Sequence, residues 1–413
     1  RILYMNLSNS KSPIHLLILS TIVLSVILSQ VDGKLSNLNH PSSSSLSENT
    51  SKNSKDEITK ENIKSTIGKL LKDLLNNQSQ EDVSFRAFPP RYSEIKGLFK
   101  SYIHLNFSDK NNWINYLLRE KFKALDMNMF VTNFVVLILL ETKDIGLVDF
   151  SDEVISNSFS AMYQFLDKNW DDQSPMYTFW RQKKVDDWWS CYPDTMVNLL
   201  KSQPDYKAIA GILKKLGLDD SASFLETMDL EWWIFDSAYR IPGDLDDTFT
   251  ALALTSYLHK VNNTEFNEQW VDKNTNIKGL FDKIKDFAYR PFNTTEVNLN
   301  RPLDPRTYFW LHDFIIQVKK EDPNRTLILP TTWLWNWEML NKSNDYVNIP
   351  GNVNNIDLNV AGNWLYGIIS TLTYNTDYQQ LKVLAQDSEI KQMIFDTIDM
   401  FIFVIKNNIA NKR

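Results

Sequence analysis

Asp244-Leu245-Asp246-Asp247-Thr248 places three carboxylates within four positions, directly ahead of an apolar run. Three acids this close cannot all ionise cheaply away from water. Burial and mutual repulsion raise at least one pKa. A carboxylic acid that keeps its proton in this way is a general acid. A plainer reading is structural. Pro242-Gly243 makes a turn, Asp244 caps the helix that follows, and Asp246 and Asp247 favour its positive end.

Other stretches carry polar or aromatic groups at suggestive spacing. In Asn354-Asn355-Ile-Asp357-Leu-Asn359-Val-Ala-Gly-Asn363-Trp364, Asn355, Asp357 and Asn359 stand at a helix entrance. Asn363 lies four positions after Asn359 on the same face. Such a set either hydrogen-bonds a ligand's hydroxyls or caps the helix. Arg306 offers a charge for an anionic group, Tyr308 and Trp310 follow it, and His312 is set to pair with Asp313. The plainer alternative there is a loop salt bridge before a packed helix. Trp188 and Trp189, with Trp232-Trp233 and Trp333 to Trp337, either stack against sugars or fill space between helices.

The elements that would position these groups are helices. Ile58–Leu75, Val154–Trp170, Lys207–Leu216, Asn276–Tyr289, Tyr308–Val318 and Glu389–Ile405 have amphipathic periodicity. Asp126–Leu140 is apolar almost all round, as a buried helix is. Several apolar runs share an opening Asp, at Asp126, Asp194, Asp247 and Asp357, with spacings of roughly one or two helical hairpins. The expectation is an all-α chain in which apolar inner helices start at one end. An α/α toroid closes such a set, and an open α-solenoid is the alternative.

Asp244-Leu-Asp246-Asp247-Thr248 resembles the Asp-x-Asp-Asp-Thr motif of class II terpenoid cyclases, the squalene–hopene and copalyl type. The resemblance is local and covers about five residues. It implies an α/α barrel in which Asp246 protonates an isoprenoid alkene or epoxide, with Asp244 and Asp247 positioning it. Protonation of this kind needs no metal and no other cofactor. The resemblance also gives the tryptophans a role, including Trp188, Trp189, Trp233, Trp310 and Trp364. A ring face steadies a desolvated cation by up to about 2 kcal/mol.

Composition narrows the classes. With 51 acidic against 44 basic residues and a net charge of −7, no basic face for nucleic acid is expected. One cysteine, Cys191, excludes an internal disulfide. His40, His104, His259 and His312 have no metal-ligand spacing. Phosphate-binding glycine loops and a G-x-S-x-G elbow are absent from the sequence.

Residues 1–33 read as a signal peptide, with residues 1–4 upstream of the start at Met5, Lys11 as its positive charge and Leu16–Leu28 as its apolar stretch. Its removal would leave no membrane span and a secreted or luminal protein. Residues 34–56 read as a disordered Ser/Asn/Lys leader, and 57–413 as a single domain. Asn49, Asn77, Asn106, Asn262, Asn293, Asn324 and Asn341 each open a glycosylation sequon. Two functions follow. One is proton-initiated cyclisation of an isoprenoid. The other is a secreted toroid without cyclase activity, which binds a ligand, glycan or partner or cleaves carbohydrate with two carboxylates.

Overall fold

The computed structural model describes residues 60–86, 91–104, 123–170, 173–201, 211, 214–215, 239–261, 263–293, 303–344, 346–374 and 386–409. All of them lie within the compact unit Thr59–Arg413. Among the described residues helix makes up 58% and strand 11%, so the described part is mostly helical, with some strand.

Three helices form the centre. α2 (Met129–Asp144) is capped by Asn128, whose side chain accepts from Val131 N at 2.9 Å. α5 (Leu245–Val261) is capped by Asp244, whose Oδ1 accepts from Asp247 N at 2.8 Å. α10 (Leu358–Tyr374) is capped by Asp357, whose Oδ1 accepts from Asn359 N at 2.7 Å. Each cap satisfies a first-turn N–H that lacks a helical partner. The sequence places Asp126 at the opening of α2; the structure makes it the last residue of a strand and gives the cap to Asn128.

α5 lies between the other two, and buried residues run along it from Leu245 to Leu258. Its contacts with α2 advance in step: Asn133 with Thr250, Leu140 with Tyr257, Asp144 with Lys260. So do those with α10: Asn363 with Asp246, Gly367 with Phe249, Thr371 with Ser256. All three helices therefore run parallel, with their N-termini at one end. Among the described residues they do not close into a barrel.

Amphipathic helices cover this centre. α7 (Ile277–Phe287) turns Ile277, Leu280, Phe281, Ile284 and Phe287 inward, onto a cluster shared with Phe249, Trp364 and Met393. Burying each such side chain is worth about 1.5–3 kcal/mol. α8 (Pro305–Glu321) and α11 (Ser388–Lys406) share a second cluster, which includes Leu311, Phe314, Met400 and Phe403. α3 (Asp152–Met162) packs Ile155 and Phe159 against the α2 side. It stops at Met162, where the sequence continues it to Trp170; a 3-10 turn and the bridging residue Leu166 replace its last turns. α1 (Lys60–Asn76), α4 (Asp194–Lys201), α6 (Thr264–Gln269) and α9 (Trp337–Ser343) complete the described helices. Most of Lys207–Leu216 lies outside the described residues.

Two antiparallel pairs were not expected. β1 (Ser101–His104) pairs with β2 (Lys123–Asp126), and β3 (Gln182–Val185) with β4 (Trp188–Cys191). Trp188 and Trp189 therefore sit on a strand. Single bridges also join Tyr177 to Asp244 and Asp244 to Trp333, and these fix the turn before α5. Among the described residues no helix is long and apolar enough to cross a membrane.

Candidate functional site

Asp244, Asp246 and Asp247 gather at the shared N-terminal end of the three central helices. Backbone bonds on both sides hold their turn. Asp244 N donates to the Tyr177 carbonyl at 3.1 Å, Leu245 N to that of Thr332 at 2.9 Å, and Leu334 N to that of Gly243 at 3.0 Å. Thr248 adds another tie, as its hydroxyl oxygen accepts from Tyr177 N at 3.0 Å. Space at Gly243 is tight: a Cβ there would stand 3.2 Å from both Asp167 Oδ2 and the Tyr177 carbonyl oxygen.

The three carboxyls differ in setting. Asp247 is fully buried, and neither of its oxygens accepts from a protein donor. It faces the carboxyl of Asp244, and two carboxyls satisfy each other only when one retains a proton. Burial, then the charges of Asp244 and Asp246, raise Asp247 well above the usual carboxylate range. Asp244 is also buried. Burial and the Asp246 charge raise it to about 7, against the pull of the Asp247 N–H. Asp246 is the partly exposed member. Burial raises it to about 6, the Asn363 amide that donates to its Oδ1 lowers it, and Asp357 raises it.

A fourth acid belongs to the same neighbourhood. The charge of Asp126 acts on Asp247, and burial raises Asp126 itself. Its carboxylate accepts from Trp180 Nε1 at 2.8 Å and from Asn128 Nδ2 at 2.6 Å. Asp126 and Trp180 border a cavity of about 20 Å³, with Ser93, Tyr192 and Thr195. That is room for about one water. On the α2 side, Asn133 donates to Thr250 Oγ1 at 2.8 Å, while its own side-chain oxygen is buried without a donor. The sequence held a trace of this arrangement: Asp244-x-Asp246 and Asp357-x-Asn359 open α5 and α10 with the Asp as cap, whereas Asp126-x-Asn128 enters α2 two residues out of step, with Asn128 as cap.

Other singled-out residues divide by position. Asn363 and Asp357 join the acids. Asn355 stands beside Asp357, half-buried, with a side-chain oxygen that has no donor, and Asn359 is exposed. Trp364 is buried against Phe249. Trp188 packs edge-on against Trp335 at 6.2 Å, and Trp189 lies under Lys168 Nζ at 4.4 Å. Trp233 lies outside the described residues. On α8, Arg306 is bound by Asp304 through Nε and Nη2, Tyr308 is exposed beside His312, and Trp310 is buried in the α8–α11 cluster. His312 and Asp313 are 3.6 Å apart, both well exposed. Cys191 is buried, and burial raises its thiol pKa. Among the sequon asparagines, Asn77, Asn324 and Asn341 are exposed and Asn293 is half-buried; Asn49, Asn106 and Asn262 lie outside the described residues.

Among the described residues no group of three or more His, Cys, Asp or Glu is arranged to hold a metal ion. The cluster sets a buried acid pair beside the partly exposed Asp246, and all three carboxyls are raised above the usual carboxylate range. No family profile, no curated protein and no solved structure matches the chain.

Proposed function

We propose that the N-terminal end of α2, α5 and α10 is an acid site, in which Asp246 donates a proton to an isoprenoid double bond or epoxide and so starts cyclisation. One observation carries this reading. Asp246 alone of the three acids is partly exposed, and its pKa of about 6 lies near neutrality. A general acid works best when its pKa lies near the working pH. Asp244 and Asp247 stand behind Asp246, and the charge left on Asp246 raises the pKa of both, so they hold their protons while Asp246 gives up its own. Asn363 then orients the donor and receives the new carboxylate.

The substrate class follows from charge and from the motif. The strongest charges acting on the three acids are other carboxylates. Such a mouth repels a diphosphate and suits an uncharged alkene or epoxide. Around it, three parallel helices are what the inner wall of an α/α toroid requires, and we place them in such a wall. The reading of residues 1–33 as a signal peptide and the sequons support a secretory route.

A second reading has its own observation. Asp244 caps α5, and capping alone justifies one acid of the three. On that reading the chain is a binding toroid. The test is a paired assay of wild type and Asp246→Asn with squalene, oxidosqualene, farnesyl diphosphate and geranylgeranyl diphosphate, read by mass spectrometry. Cyclised product from the wild type, reduced about 10²-fold or more in the variant, is the expected result. Silence from a folded wild type on all four favours the binding reading.

A further inference from the structure

At the other end of α5, the last turns of α2, α5 and α10 converge on one ammonium group. Lys260 Nζ lies 5.2 Å from the centroid of the Tyr257 ring and 5.1 Å from that of the Tyr374 ring. The two rings meet edge to face at 87°, 5.9 Å apart, and so form two walls of a corner. Asp144 Oδ2 is 3.4 Å from the same nitrogen. Glu141 accepts from the Tyr366 hydroxyl at 3.4 Å and lies within the field of Lys260. Burial raises the Glu141 pKa to about 7, so it is charged mainly above neutrality. Three helix C-termini add partial negative charge. Ring faces, carboxylates and helix ends all favour a cation at this corner.

Lys260 occupies the corner loosely. Its side chain is 45% exposed, and its 3.4 Å approach to Asp144 exceeds the about 2.7–2.9 Å of a tight charged bond. It also springs from the turn that carries Tyr257, so its tether sets the angle at which it enters. A quaternary ammonium has no N–H to satisfy and sheds water readily, so it gains from the rings without losing hydrogen bonds. We infer that Tyr257, Tyr374, Glu141 and Asp144 form a cage for a quaternary ammonium group, which Lys260 fills in its absence. The cage lies at the far end of the central helices and does not depend on the acid site's chemistry.

The experiment is calorimetric titration with choline and with its uncharged counterpart 3,3-dimethylbutanol, under mildly alkaline conditions. The proteins are wild type, Lys260→Met, Lys260→Gln and Lys260→Met/Tyr374→Leu, each first checked by circular dichroism. Saturable choline binding by a folded Lys260 variant is expected, at least about tenfold tighter than to wild type, because a competing occupant lowers apparent affinity by the free fraction. Dimethylbutanol should not bind, and loss of the Tyr374 ring should weaken choline about tenfold. A folded Lys260→Met or Lys260→Gln protein that ignores choline overturns the inference. So does equal binding of the uncharged counterpart, or binding indifferent to Tyr374.

Discussion

Asn363 donates its side-chain amide to Asp246 and so ties the second turn of α10 to the first turn of α5 across 117 positions of sequence. This bond gives the partly exposed acid a fixed direction. It also stabilises the carboxylate, and the pKa of Asp246 would lie higher without it.

Asn363→Leu tests that role. Removal of the donor moves the Asp246 pKa further above about 6, so Asp246 stays protonated to higher pH. The alkaline limb of the pH–activity profile should move upward. The rate at its plateau should fall, since the acid is weaker, but by less than the about 10²–10⁴-fold expected for loss of the general acid itself. An unchanged profile in a folded variant would separate Asp246 from the proton transfer.

Asp247→Asn makes a prediction about stability. The folded pKa of Asp247 is raised, so between the ordinary carboxylate value and the raised one the native state holds a proton that the unfolded chain has released. Stability therefore falls as pH rises through that window. Asn carries no titrating proton, so the variant should lose less stability over it. At neutral pH it should match or exceed wild type in stability. Urea unfolding at a series of pH values measures this. A variant destabilised equally at every pH would show that Asp247 serves packing alone.

Gly367→Ala probes the seam between α5 and α10. The added Cβ would stand 2.4 Å from the Phe249 carbonyl oxygen and 2.9 Å from its Cδ1. Backbone atoms cannot swing aside, so the helices must part. A loss of about 1–3 kcal/mol is expected, as for other overpacked cores. At Gly68, which has nothing within 4 Å, the same change should not destabilise the protein. Thermal melting of the two variants makes the comparison.

The sequence carried the helices whose periodicity was long and the cap whose chemistry was local. Asp244 could be read as a cap because Pro242-Gly243 precedes it and an apolar run follows. The strand at Trp188–Trp189 was hidden because four residues give too little alternation, and two adjacent tryptophans fit any element. Asp126 read as the opening residue of a helix, but it ends a strand and is held by the Trp180 indole from another segment, a contact that no local pattern announces. The bond from Asn363 was equally out of reach. Its residues were singled out on separate helices, and only parallel packing of α5 and α10 brings them together.

Proton donation by Asp246 is tested most directly by isotope. Wild type and Asp246→Asn would be given the isoprenoid panel in deuterium oxide, with products weighed by mass spectrometry. The wild-type product should carry one solvent deuterium at the protonated carbon, and the variant should form about 10²-fold less product or none. A cyclised product without solvent deuterium, or one formed equally by Asp246→Asn, would contradict the proposed role of Asp246.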